Sequence, residues 1–243
     1  MKKMIQVKRF FLAVGALLIP ALYAAGQNNT EMSVEESFLQ ESVDNMIIRE
    51  QSRADSREMK ELALQYIGDA IESGNTSDEI RQTLEYLGLE GVLNRANENG
   101  RLVNNFPDVR WQAAEYLGKL GTPEARDTLI KMVYYDNEPA VLVSAVEALA
   151  TIGSDPDGKA AETITWIMRK FDNTNPDNRL AWRAIDAYVK FGTKDYNAIQ
   201  MLIRISEGPY LRPVQEKAKR ALTEIRKAQA QAKQEEQQQQ QRR

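Results

Sequence analysis

The chain has 243 residues, 42% of them hydrophobic, 28% charged and 7% aromatic, with 13 glycines and 8 prolines, a balance that suits one helical core or one stack of repeats rather than a turn-dense β fold. Cysteine and histidine are both absent, which excludes disulfides, thiolate and imidazole metal sites, thiol nucleophiles and every histidine-based acid/base relay. The formal net charge is -3, and no stretch concentrates enough lysine and arginine to replace the counterions of a nucleic-acid duplex.

The first segment reads as a secretory signal. Lys2, Lys3, Lys8 and Arg9 form a basic n-region, and residues 10–25 are a nearly unbroken apolar run closing in small residues. That run is shorter than the ~20 residues a membrane span needs, and Pro20 interrupts it. Cleavage is expected after Gly26, with Ala24 at the minus-three position, or after Ala24, with the bulkier Leu22 there. The first alternative removes four of the 32 basic residues and none of the 35 acidic ones, leaving 28 against 35, a net charge of minus seven. The n-region is bacterial in style and no lipobox cysteine follows, so the expected address is periplasmic or secreted, with no membrane span after cleavage.

Residues 27–55 follow as an N-terminal capping helix: Ser33-Val34-Glu35-Glu36 is a capping-box signature leading into Phe38, Leu39, Val43, Met46 and Ile47. Helices over about 56–73 and 77–94 are expected to form a first repeat, followed by a polar loop over 94–106. The informative part comes next. Residues 107–121, 139–153 and 178–192 align on their final glycine. Counting the first residue of each as zero, position six is Ala113, Ala145 and Ala184, position ten is Leu117, Leu149 and Tyr188, and position thirteen is Leu120, Ile152 and Phe191. A fourth copy starting at Arg212 places Val214, Ala218, Leu222 and Ile225 in columns two, six, ten and thirteen. The starts are 32, 39 and 34 residues apart, within the range for two-helix repeats. Those columns fall on one stripe of a helix, so each copy is an amphipathic helix with a small residue at its centre. The intervening helices are expected over 122–135, 157–171 and 193–207, with Gly121, Gly153, Gly192 and Gly208 ending helices in the left-handed conformation. Residues 56–227 thus read as the solenoid. Residues 228–243 are a Gln-rich polar tail in which the last helix runs on and frays.

The pattern resembles HEAT and HEAT-like (phycobilin-lyase type) repeats, whose second helix typically reads Pro-x-Val-Arg-x-x-Ala-x-x-x-Leu-Gly-x-Leu-Gly. Residues 107–121 fit it position by position, while Leu142, Ala181 and Gln215 stand where that family usually has Arg. The resemblance implies an all-α fold, an α-α superhelix of about four to five antiparallel helix pairs, with the second helices lining its concave side.

Asp155-Pro-Asp157-Gly158 fails the spacing of a calcium loop and reads as a turn with an N-cap. No phosphate loop or nucleophile elbow appears, and no catalytic, cofactor or metal site is expected. The candidate site lies on the second helices, at columns pointing away from the core stripe (one, four, eight and eleven). Column four holds Trp111, Val143 and Trp182, and column eight holds Glu115, Glu147 and Asp186. Stacking aligns equivalent positions, so these form neighbouring ladders, either a partner surface with an acidic edge or rings folded over neighbouring helices beside a solvated face. The Trp-x-x-x-acid pairing also resembles the cleft of HEAT-like alkylpurine DNA glycosylases, but export and an acidic chain oppose that activity. Bilin lyase activity rests on the repeat alone. The expected function is a non-enzymatic protein- or peptide-binding scaffold of the bacterial envelope, with a structural subunit of a periplasmic assembly as the alternative.

Overall fold

The computed structural model describes residues 33–172, 175–192 and 195–241; the expected signal peptide and residues 27–32 lie outside them. The chain divides into two units, residues 1–42 and 43–243. The described part of the first is the opening of helix α1 (Val34–Arg53), on which Leu39 is exposed.

In the second unit the apolar residues named for the capping helix do not form its buried side. Val43, Met46 and Ile47 are exposed, and Ile48 and Ser52 are buried instead. The buried Lys60 ammonium donates to the Ser52 carbonyl at 2.9 Å, in the last turn of α1. Helices α2 (Arg57–Glu72) and α3 (Asp78–Gly88) start at Ser56 and Ser77, whose side chains accept from the Met59 and Ile80 backbone amides. The expected polar loop contains a short antiparallel hairpin, β1 (Asn97–Glu98) and β2 (Arg101–Leu102). Its turn, Asn99-Gly100, has positive φ at both residues, the backbone that Asn-Gly hairpins favour.

Seven helices follow: α4 (Pro107–Leu120), α5 (Pro123–Tyr135), α6 (Pro139–Ile152), α7 (Lys159–Asp172), α8 (Asn178–Lys190), α9 (Tyr196–Glu207) and α10 (Arg212–Gln241). They pack as two rows. Helices α4, α6, α8 and α10 lie side by side in one, with α2 beside α4, and α3, α5, α7 and α9 form the other. The pairs are α3 with α4, α5 with α6, α7 with α8 and α9 with α10. The expected first repeat is therefore corrected: α3 pairs forward with α4, and α2 extends the second-helix row. The fold is an all-α, HEAT-like superhelix.

Columns two, six and ten are buried in all four second helices, from Val109, Ala113 and Leu117 to Val214, Ala218 and Leu222. Burial reaches further than that stripe. Arg110, Ala114, Leu142, Val146, Ala181 and Ile185, in columns three and seven, are also buried, because a helix in the middle of a row is flanked on both sides. Column eleven of α4 is corrected likewise: Gly118 is buried, and a Cβ there would meet Ala148 of α6. Gly121, Gly153 and Gly192 have the expected positive φ, but Gly208 is extended at φ -85°. A side chain at 208 would sit 2.6 Å from the Arg204 carbonyl, so close approach rather than handedness requires glycine there. On α10 the buried apolar side chains among the described residues end at Ile225, and the helix runs on to Gln241.

Candidate partner-binding face

The column-four residues lie on adjacent helices α4, α6 and α8. Trp111 is 37% and Trp182 36% exposed, and Val143 between them is half-buried against the core. The other three candidates, Glu115, Glu147 and Asp186, lie one turn further along the same helices; the first two are exposed and Asp186 is half-buried.

Column five ties this face together, a feature the sequence reading missed. Ser144 donates to the Trp111 carbonyl at 2.8 Å. Arg183 pairs with Glu147 at 3.0 Å. Lys217 pairs with Asp186 at 2.6 Å, donates to the Trp182 carbonyl at 3.0 Å, and places its ammonium 3.9 Å from the centre of the Trp182 ring. Each of these side chains reaches back from one second helix to the one before it. Burial pushes the Lys217 ammonium below the ordinary lysine range, and the Asp186 carboxylate opposes that shift. Glu115 pairs within α4 with Lys119 at 3.2 Å. The three carboxylates thus stand in ion pairs, and the face sets partly exposed indoles between locally neutralised charges. Lys217 covers one side of the Trp182 ring, and the residue stays partly exposed.

The most deeply buried charges serve the fold. Arg110, the arginine of the repeat pattern, donates to both Asp136 carboxylate oxygens, at 2.6 and 3.3 Å, and to Asn105 Oδ1 at 2.9 Å. Lys60 and Glu90 form a second buried pair at 2.8 Å. Where α6 and α8 carry Leu142 and Ala181 instead of arginine, Asp172 at the end of α7 is partnered by Arg204 and by the Tyr210 hydroxyl. Burial, and then the hydrogen bond to Asp172, raises the Tyr210 phenol well above its ordinary range.

Asp155 accepts from the Ala160 and Ala161 backbone amides at 3.0 and 2.9 Å, so the Asp-Pro-Asp-Gly stretch opens α7 as an N-terminal cap. Among the described residues no carboxylate cluster could hold a metal ion, and no helix is long and apolar enough to cross a membrane. The sequence reading also missed an exposed aromatic group on the first-helix row, Tyr134, Tyr135 and Trp166. Tyr134 is the twelfth residue of α5 and Trp166 the eighth of α7, so no common repeat column pointed to them.

Residues 101–165 match the family model for HEAT repeats. No curated protein matches the chain in sequence. Among solved structures, it resembles a chain of the complex of CpcE and CpcF of phycocyanin lyase from Nostoc sp. PCC7120, with a TM-score of 0.56 and 18% identity over 74% of this chain. The match covers 64% of that lyase chain, just under two thirds of its length, and it establishes the shared fold. A de novo designed 16-helix transmembrane nanopore matches with a TM-score of 0.26 and 15% identity, over 82% of this chain and 64% of that one, too little to carry an argument.

Proposed function

We propose that this HEAT-like repeat protein is an exported, non-enzymatic binding module that holds a protein or peptide segment against its second-helix row. The observation that carries the reading is the column-four line. Two tryptophans more than one-third exposed occupy equivalent positions on α4 and α8, with Val143 of α6 between them. Neighbouring helices pack ~8 to 10 Å apart, so the two indoles are separated by roughly 16 to 20 Å. An extended segment of about six residues spans that distance at ~3.3 Å per residue. Interface tryptophans commonly account for ~2 kcal/mol or more each. The paired carboxylates give the face order and register rather than a bare negative edge, so association should respond weakly to salt. The lyase neighbour was solved as a complex of two proteins, and HEAT repeats generally mediate protein interactions, which supports a partner-binding role.

The test is a pull-down from a bacterial envelope fraction on the mature chain, with Trp111→Ala and Trp182→Ala in parallel. The module reading expects a complex lost by at least tenfold in either variant, at ~1.4 kcal/mol per tenfold. Retention of the same complex by both variants would overturn it. The exposed Val43, Met46 and Ile47 side of α1 favours one other reading, a structural subunit held by its end. That reading expects a stoichiometric complex lost in Met46→Asp instead and kept in both tryptophan variants. Export is tested separately, by mass spectrometry of the secreted product, which should begin at Ala25 or Gln27; an intact Met1 would refute it.

A further inference from the structure

The hairpin between α3 and α4 places a reactive pair of residues in the open. Asn99 is the one asparagine of the sequence that a glycine follows. Both Asn99 and Gly100 are exposed, and they form the turn with φ of 48° and 76°. A Cβ built on Gly100 would find no atom within 4 Å, so the tip stands clear of its neighbours. Among the described residues neither the Asn99 side chain nor the Gly100 N–H has a hydrogen-bond partner.

The loop is fastened at its base. The buried Asn104 side chain donates to the Asn94 carbonyl at 2.8 Å and accepts from the Ala96 amide at 2.9 Å, and the Val103 amide donates to the Ala96 carbonyl at 3.0 Å. Beyond that clamp each strand has two residues, and every residue from 95 to 103 is exposed. A hairpin of that size is marginally stable in water, so its turn opens and closes while the helices stay in place.

We propose that Asn99 is a site of spontaneous deamidation, converted to aspartate and isoaspartate through a succinimide closed with Gly100. In the open turn the Gly100 nitrogen, having lost its proton, attacks the carbonyl carbon of the Asn99 side chain. The new N–C bond forms, the bond from that carbon to Nδ2 breaks, and Nδ2 leaves as ammonia, taking up the proton that Gly100 released. Water then adds to one of the two ring carbonyls. Addition at the side-chain carbon restores the main chain and leaves aspartate. Addition at the main-chain carbon breaks its bond to the Gly100 nitrogen, and the chain then runs through the side chain as isoaspartate. Either product has exchanged an amide for a carboxylate, a new negative charge between Glu98 and Arg101. Glycine admits the attack because no Cβ crowds its nitrogen and its backbone turns freely. Asp157-Gly158, the acid counterpart, is protected: the Asp157 carboxylate pairs with Arg126 at 3.3 Å and Lys159 at 3.0 Å, and the Gly158 N–H donates to the Asp155 carbonyl at 3.3 Å. An ionised, paired carboxylate is a poor target for a nitrogen that is itself engaged.

The test is mass spectrometry of the mature chain aged in heavy-oxygen water, beside a synthetic peptide of residues 94–104. Trypsin cuts after Arg95 and Arg101 and releases residues 96–101, in which electron-transfer fragmentation distinguishes aspartate from isoaspartate at 99 and reads Asn97 as an internal control. Asn99 should convert no more than about tenfold more slowly than in the peptide. It should take up one heavy oxygen, react faster as the buffer is made alkaline, and yield both products, while Asn97 and Asp157 stay unchanged. Asn99→Gln should suppress the reaction, since the longer side chain closes a six-membered ring far less readily. Asn99 still intact once the peptide has fully converted overturns the proposal, because the turn is then closed to attack. Conversion at Asn97 or Asp157 ahead of Asn99 overturns it as well.

Discussion

Replacing Gly118 with alanine tests how closely α4 and α6 approach. A Cβ at 118 would lie 2.8 Å from the Ala148 Cβ, 2.9 Å from its Cα and 3.3 Å from its carbonyl oxygen. None of these atoms can swing aside on a rotamer, so the helices must part by roughly 0.5–1 Å to restore ordinary carbon–carbon separations of ~3.5–4 Å. Overpacking of this kind costs ~1–3 kcal/mol. Alanine recovers ~1 kcal/mol over glycine inside a helix, so the net loss should be about 1 kcal/mol. Gly118→Leu should lose ~3 kcal/mol or more, because its further carbons have nowhere to go. Ala148→Gly removes the 2.8 Å contact and leaves the 2.9 Å one to Cα, so it should rescue Gly118→Ala only in part. Urea unfolding followed by far-UV circular dichroism measures all four proteins. Stabilisation by Gly118→Ala would refute the reasoning, since it would mean that α4 and α6 lie further apart than described.

Lys60→Met should cost ~3–5 kcal/mol, because it strands Glu90 in a buried site where one carboxylate oxygen already has no hydrogen-bond partner among the described residues. Adding Glu90→Gln should restore much of that loss in a denaturant titration. Burial already raises the Glu90 carboxyl above the ordinary carboxylate range, against the pull of Lys60. An acid raised in the folded state contributes stability that is present below its unfolded pKa and lost as pH rises through the folded one. The Lys60→Met loss should accordingly be smaller at pH 5 than at pH 7. Deleting residues 234–243 should change stability by less than ~0.5 kcal/mol, since among the described residues the buried side chains of α10 end at Ile225; a larger loss on melting would mean that the tail docks.

The repeat was legible because Val109, Ala113 and Leu117 recur at fixed columns, and one stripe per helix suffices to read an amphipathic helix. The sides of that helix were not legible in the same way. Gly118 and Ala148 meet across α4 and α6, and their pairing depends on how two helices are staggered rather than on periodicity within either. The side chains of α1 misled for a related reason: a lone helix shows which side is apolar, while the neighbour decides which side is buried, and here that side carries Ile48 and Ser52. At the candidate site, outward tryptophans followed from column arithmetic at 100° per residue. The Arg183–Glu147 and Lys217–Asp186 pairs did not, because they join column five of one helix to column eight of the previous one. The hairpin was missed although Asn99-Gly100 was in plain view, since two-residue strands leave no alternation to read.

The most direct measurement is hydrogen-exchange footprinting of the mature chain with and without the protein it captures from the envelope. The binding-module account expects new protection on α4, α6 and α8 around Trp111, Val143 and Trp182, absent in the Trp111→Ala/Trp182→Ala protein. Protection confined to α1 or to the end of α10, with those three helices unchanged, would contradict it.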